Sequence, residues 1–201
     1  MSSEQPRETY VPRATVVVAS SAGGIEGLQV LLSGLGADFP AAVLVAQHLR
    51  RARETHIVAI LSRHTALAVK LAEDGERPGP GTVYIAPPDH HLCVREDGTL
   101  QLTREPPVNR SRPAADPLFR TAAEAFGPLL IACVLTGADG DGARGVEVVK
   151  SGGGTVIVED PASAKFHGMP KAAIETGRVD YVLHAEDIPA RIQLLVRRHQ
   201  G

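Results

Sequence analysis

The chain has 201 residues, of which 43% are hydrophobic, 22% charged and 3% aromatic, and its formal charge is −2. That length supports one domain or at most two small ones, and the apolar share is too high for a disordered chain. The balanced charge supplies no overall basic field for nucleic acid or an anionic membrane surface, and the longest apolar runs, such as Leu129 to Leu135, are far too short to span a bilayer.

The first fourteen residues, MSSEQPRETYVPRA, are polar and lack the apolar stretch of a secretory signal. Residues 1–14 therefore read as a flexible N-terminal segment ahead of one domain over 15–201, in a protein expected in the cytoplasm and not inserted in a membrane. TVVVA (15–19) is a compact apolar run of the buried parallel-strand kind. After SSAGG, residues Ile25, Leu28, Leu31, Leu32 and Leu35 share one helical face. AVLVAQ (42–47) predicts the next strand, and a helix is predicted from about Arg53 to Arg63. LAVKLA and TVYIAP are further strand candidates.

HLCVRE and TLQLTRE flank Asp97-Gly98, a two-residue type I′ turn signal, which predicts a β-hairpin. The segment EPPVNRSRPAADP (105–117) is expected to be mostly irregular, because its prolines fix φ and remove donors. LLIACVLT (129–136) is the most apolar strand, followed by the turn GADGDG and the helix-like GVEVVKSGG. GTVIVE, MPKAAIETG, YVL and IPARIQLLVRR complete the alternation. Cys93 and Cys133 lie in apolar runs and read as small core residues rather than a disulfide framework. The expected fold is α/β: a doubly wound, mainly parallel sheet flanked by helices, with one inserted β-hairpin.

Ligands of such folds bind beyond the carboxyl ends of the strands. Ser20 and Ser21 follow the first strand, Gln47 and His48 end the second, and Gly137, Asp139 and Asp141 follow LLIACVLT. A hydroxyl, an imidazole and a carboxylate thus arrive at one sheet edge, the inventory of a Ser-His-Asp hydrolase. A serine on a tight strand-to-helix turn is exposed, and the helix N-terminus beyond it offers backbone donors to an oxyanion. The serine could equally be a plain helix cap, and the aspartates plain turn-formers. Ala22-Gly23-Gly24-Ile25-Glu26-Gly27 also approximates a dinucleotide-binding glycine motif, but Gln47 and His48 stand where that motif needs an acidic residue for the ribose. Asp89-His90-His91 invites a metal assignment, which is opposed because adjacent strand residues point to opposite faces; no metal or cofactor is expected. Arg110 and Arg112 in VNRSRP are candidates for contact with an acidic partner.

SSAGGIEGL, LVAQHL, AEDGE with GTVYIAPPDHHL, VNRSRPAADPLF, VLTGADGDGARG and FHGMPKAAIETG together resemble the catalytic domain of the CheB family of chemotaxis protein-glutamate methylesterases. The resemblance runs in order from about Thr15 to Leu183. It implies a doubly wound α/β esterase that hydrolyses glutamyl methyl esters on chemoreceptors and deamidates certain receptor glutamines. It places the nucleophile on Ser21, the general base on His48 and the orienting carboxylate on Asp141, with Asp139 outside the match. Ala22, Gly23 and Ala138 fall beside the oxyanion site, and Arg110 and Arg112 in the substrate-binding region. The implied partner is a methylated chemoreceptor or another signalling protein, with no nucleic acid.

The sequence departs from that family's pattern at Ala22, where Thr is typical, and at Ala138, where Met is common. LRRARET replaces the usual Pro-Pro-Gly-Phe-Thr type stretch after His48, where substrate is expected to approach. The segment before the first strand is too short for a receiver domain, so a phosphorylation switch within the chain is not expected. A non-catalytic interaction module of the same fold is the alternative function, and a nucleotide-binding domain a third.

Overall fold

The computed structural model describes residues 14–48 and 55–199. The N-terminal segment before residue 14, the start of the helix expected at Arg53, and residues 49–54 of the expected substrate-approach segment lie outside the described residues. The elements are β1 (Thr15–Ser20), α1 (Gly24–Ser33), β2 (Ala42–Gln47), α2 (Ile57–Leu61), β3 (Ala68–Leu71), β4 (Thr82–Ile85), β5 (His91–Val94) and β6 (Leu100–Thr103). They continue with α3 (Ala115–Phe126), β7 (Leu130–Val134), α4 (Ala143–Ser151), β8 (Thr155–Glu159), α5 (Gly168–Glu175), β9 (Tyr181–Leu183) and α6 (Ile188–Arg198).

The described strands form a seven-stranded sheet in the order β3-β4-β2-β1-β7-β8-β9, and β5 and β6 pair separately as an antiparallel ribbon. Every pairing within the large sheet is parallel. Its central strands are apolar on both sides, as the continuous runs in the sequence require. Val17, Ala19 and Leu44 face Leu118 and Phe119 of α3, Val146 and Val149 of α4, and Met169 of α5. Val16, Val18, Val43 and Val45 face Leu28, Leu31 and Leu32 of α1, Ile57 and Leu61 of α2, and Ile192 and Val196 of α6. Each fully buried Leu, Ile or Phe here contributes about 1.5–3 kcal/mol of transfer free energy. Cys93 and Cys133 are buried free thiols in this packing.

The first described strand, β1, lies in the middle of the sheet. From β1 it winds outward through β2, and from β7 it winds the other way through β8. The crevice between the carboxyl ends of β1 and β7 is therefore the topological switch point, where folds of this kind admit ligands. Ser20 pairs in register with Gln47, so β1 and β2 end level and deliver Ser21 and His48 side by side.

Two expectations need correction. The hairpin forms, but its turn is not a two-residue type I′ turn at Asp97-Gly98. Arg95 N–H donates to Thr99 O and Gly98 N–H to Arg95 O, closing a three-residue loop in which Gly98 takes φ 80°. Asp97 keeps an ordinary φ because its Oδ1 accepts from Thr99 N–H and Oγ1 at 2.9 and 2.7 Å. The two-residue turn with positive φ at both central positions falls instead at Asn109 (φ 49°) and Arg110 (φ 63°), bracketed by reciprocal bonds between Val108 and Ser111. The second concerns α3, which no predicted element covered: the segment read as mostly irregular is already helical over its last three residues, from Ala115.

Candidate active site

β1 ends in a turn built to expose one serine. Ser21 N–H donates to Thr136 O at 3.0 Å and Gly24 N–H to Ser21 O at 2.9 Å, with Gly23 at φ 72° between them. Gly24 starts α1 where any side chain would collide: an added Cβ would strike Gln47 Oε1 and sit 2.8 Å from Ser20 Cβ. Ser20 itself is buried and donates to Gln47 Oε1 at 2.6 Å. The same amide donates to Ser21 O at 2.9 Å and His48 O at 3.2 Å. Gln47 therefore staples the two strand ends together, and its side chain is committed to the fold.

The three groups expected at the sheet edge form one chain. Ser21 Oγ lies 2.9 Å from His48 Nδ1, and His48 Nε2 lies 2.8 Å from Asp141 Oδ2. An ionised carboxylate can only accept, so Nε2–H donates to Asp141 and the Nδ1 lone pair accepts the Ser21 hydroxyl. Asp139, 40% exposed, approaches the same Nδ1 at 3.5 Å, and its Oδ1 accepts Asp141 N–H at 3.1 Å. It braces the turn, and its contact with the ring is longer than that of Ser21.

Asp141 is fully buried and still ionised, for a visible reason. Its Oδ2 also accepts Ala115 N–H at 2.6 Å; its Oδ1 accepts Asn109 Nδ2–H at 2.8 Å and Asp116 N–H at 3.3 Å. Burial alone would raise its pKa, but the bonds from His48, Ala115 and Asn109 outweigh it and hold the carboxyl below the usual range. The neighbouring Asp116 is pushed the other way. Burial is the main cause and the Asp141 charge adds to it, against bonds from Gly145 N–H and Asn109.

The remaining expected site residues are distributed unevenly. Ala22 and Gly23 follow Ser21, and their N–H groups meet no acceptor among the described residues. Ser21 N–H is unavailable to an oxyanion, because Thr136 O holds it. Ala138 is exposed at the rim, its carbonyl packed against Gly168. Arg110 is exposed beside Asn109. Arg112 is spent within the chain: Nε and Nη2 reach Asp89 Oδ1 at 3.1 and 2.6 Å, and Nη1 reaches the Arg104 and Glu105 carbonyls, each at 2.8 Å. Its part here is to tie the hairpin to the 105–113 loop.

His90 lies just before β5 and His91 is its first residue, and the two have different partners. His90 Nε2 meets Arg104 Nε at 3.1 Å, whereas the buried His91 contacts Pro106 O and Ala114 N, each at 3.2 Å. Asn109 and Asp116 are the polar residues at the site that the sequence reading passed over, although both lie inside a motif it singled out. A third is Thr136, whose hydroxyl donates to Ala22 O at 3.1 Å and accepts Phe166 N–H at 2.8 Å, joining the serine turn to the segment before α5.

Comparison with known proteins agrees with this architecture. The family model for the CheB methylesterase matches residues 16–192. The chain belongs to the CheB methylesterase family. A relative from Leptospira interrogans, named a putative protein-glutamate methylesterase/protein-glutamine glutaminase, is 38% identical over 186 residues, covering 92% of this chain and 95% of that protein. A protein-glutamate methylesterase/protein-glutamine glutaminase from Thermotoga maritima is 41% identical over 184 residues, 90% of this chain but 54% of its own. A Myxococcus xanthus relative of the same designation is 38% identical, with 53% of its length covered. The chain thus spans about half the length of the latter two CheB-type relatives. The crystal structure of the Thermotoga maritima CheB methylesterase catalytic domain superposes with a TM-score of 0.88 at 40% identity, over 92% of this chain and 100% of that one.

Proposed function

We propose that residues 15–201 form a serine hydrolase domain of the protein-glutamate methylesterase type, with Ser21 as nucleophile, His48 as general base and Asp141 as the orienting carboxylate. The observation that carries this reading is the unbroken hydrogen-bond chain from Ser21 Oγ through both ring nitrogens of His48 to Asp141. The relatives named as methylesterases and glutaminases supply the substrate class.

His48 Nδ1 removes the Ser21 proton as Oγ attacks the glutamyl ester carbonyl, forming a tetrahedral adduct. Ala22 and Gly23 N–H groups, at the start of α1, donate to the oxyanion. Collapse breaks the carbonyl–methoxy bond, and the proton on Nδ1 passes to the departing oxygen to give methanol. Water, deprotonated by the same nitrogen, then cleaves the acyl-serine and leaves a free glutamate. A glutamine side chain presented to the same atoms would lose ammonia by the same steps. The physiological ester is assigned to a methylated chemoreceptor or a related signalling protein. Among the described residues no helix is long and apolar enough to cross a membrane. We assign the domain to the cytoplasm on the separate ground of that receptor substrate.

A fluorophosphonate probe tests the nucleophile without knowledge of the substrate. Mass spectrometry is expected to find the adduct on Ser21 and none in Ser21→Ala. A folded protein that leaves Ser21 unlabelled, or that labels Ser20 instead, contradicts the assignment.

A further inference from the structure

Beneath the site two buried carboxyl groups face one amide. Asp141 is fully buried and Asp116 is 9% exposed. Asn109 Nδ2 stands 2.8 Å from Asp141 Oδ1 and 2.9 Å from Asp116 Oδ2. An amide nitrogen carries two hydrogens and accepts nothing, so each hydrogen satisfies one carboxyl group. The outer oxygen of Asp116 is fixed by Gly145 N–H at 2.8 Å, and that of Asp141 by His48 and Ala115. Asn109 reaches this position from a turn in which it and Arg110 both hold positive φ. That conformation is unfavourable for arginine and tolerable for asparagine, and it persists only where surrounding contacts enforce it.

Two carboxylates in a shared low-dielectric site cannot both stay ionised without donors between them. We propose that Asn109 is a positioning residue of the hydrolase, its amide partitioning Asp116 from Asp141 so that Asp141 remains a carboxylate able to hold His48 Nε2–H. This inference rests on the esterase reading. The other charged or titratable groups around Asp141 do not substitute for the amide. Asp139, on the same turn, is an exposed carboxylate. His91, at the start of β5, is kept neutral chiefly by burial; it accepts Ala114 N–H on Nδ1 and donates from Nε2 to Pro106 O. Arg112 is held by Asp89. His48 itself is the group being oriented.

Without Asn109 a proton enters the Asp116–Asp141 pair as pH falls, and a protonated Asp141 ceases to fix the tautomer that leaves Nδ1 free. Asn109→Ala is expected to lower kcat about tenfold or more with KM nearly unchanged, and to move the acid limb of the kcat profile up by about one pH unit. Adding Asp116→Asn is expected to return that limb toward the wild-type position. The new amide keeps an oxygen for Gly145 N–H and turns a donor to Asp141. A merely structural role for Asn109 would lower activity with no movement of the limb and no rescue.

Activity on methylated receptor membranes is paired with the proton NMR resonance of His48 Nε2–H, read against pH in the free 201-residue chain. In Asn109→Ala this resonance is expected to be lost at a higher pH than in the wild type, and to recover in the double variant. A resonance and an acid limb that coincide with the wild type in Asn109→Ala overturn the proposal. Should Asn109→Ala fail to give a cooperative thermal transition, Asn109→Asp decides: a carboxylate there offers no donor to Asp116 or Asp141, so its acid limb is expected above the wild-type pH, and a limb at the wild-type position overturns the proposal. Absence of Ser21-dependent turnover with the NMR behaviour intact counts against the ester substrate and leaves the role of Asn109 standing.

Discussion

Replacing Asp141 with Asn removes one charge from a site that has room for no other change. An amide at position 141 has one oxygen for four donors, which approach in two pairs. Ala115 N–H and His48 Nε2 lie at 2.6 and 2.8 Å on one side; Asn109 Nδ2 and Asp116 N–H lie at 2.8 and 3.3 Å on the other. The oxygen is expected to turn toward His48 and Ala115, where the bonds are shorter. The NH2 group then faces two donors, of which the exposed Asn109 side chain can swing away. The ring keeps its place, but the imidazolium formed during attack loses its counter-charge. With charge centres about 4 Å apart and an effective dielectric near 20, that loss is about 4 kcal/mol, or roughly a thousandfold in kcat. The stranded Asp116 N–H costs a further ~1–3 kcal/mol of stability, a fall of roughly 2–12 °C in Tm for a chain of this size. Methanol release under saturating substrate measures the first effect and a thermal melt the second. Asp141→Asn retaining more than about a tenth of wild-type kcat would refute the electrostatic argument.

Other consequences follow from the packing and from the charges. At Gly145 an added Cβ would lie 2.5 Å from Phe119 Cβ, so Gly145→Ala is expected to destabilise the domain by about 1–3 kcal/mol in urea titrations, and an unchanged midpoint would contradict this packing. Glu159 is buried, accepts Thr136 N–H at 2.8 Å, and has its pKa raised by burial. A raised folded-state pKa means that the native chain binds more protons than the unfolded one. Its contribution to stability is therefore lost as pH rises from the ordinary glutamate value through the folded one. Glu159→Gln keeps an acceptor for Thr136 and removes the charge, so the loss of stability between pH 4 and pH 7 is expected to shrink in denaturant titrations. An identical pH dependence in the variant would contradict that assignment.

Much of the sheet was legible because its signal is local. β2, β9 and α6 were read at their full extents, 42–47, 181–183 and 188–198, since each is an apolar or amphipathic run with clear breaks. α3 was missed despite Leu118, Phe119, Ala122, Ala123 and Phe126 on one buried face. Its N-cap is Ala114, whose methyl side chain cannot accept a hydrogen bond and so signals no helix start. The capping acceptor is the carboxylate of Asp141, on a distant turn. The same separation hid Asn109 and Asp116, whose roles exist only once three loops meet. The turn error at Asp97-Gly98 is of the opposite kind: Asp-Gly serves both two-residue and three-residue loops, and the Asp97 bonds to Thr99 choose between them. Three strand ends brought Ser21, His48 and Asp141 together as the α/β topology requires. No sequence pattern specifies that Nδ1, and not Nε2, faces the serine.

Methanol release from methylated chemoreceptor membranes tests the assignment of Ser21 as the residue that cleaves a glutamyl methyl ester. Release is expected from the wild-type chain and none above background from a folded Ser21→Ala variant. Equal release from the two proteins, or none from a wild-type chain whose Ser21 reacts with a fluorophosphonate, would contradict it.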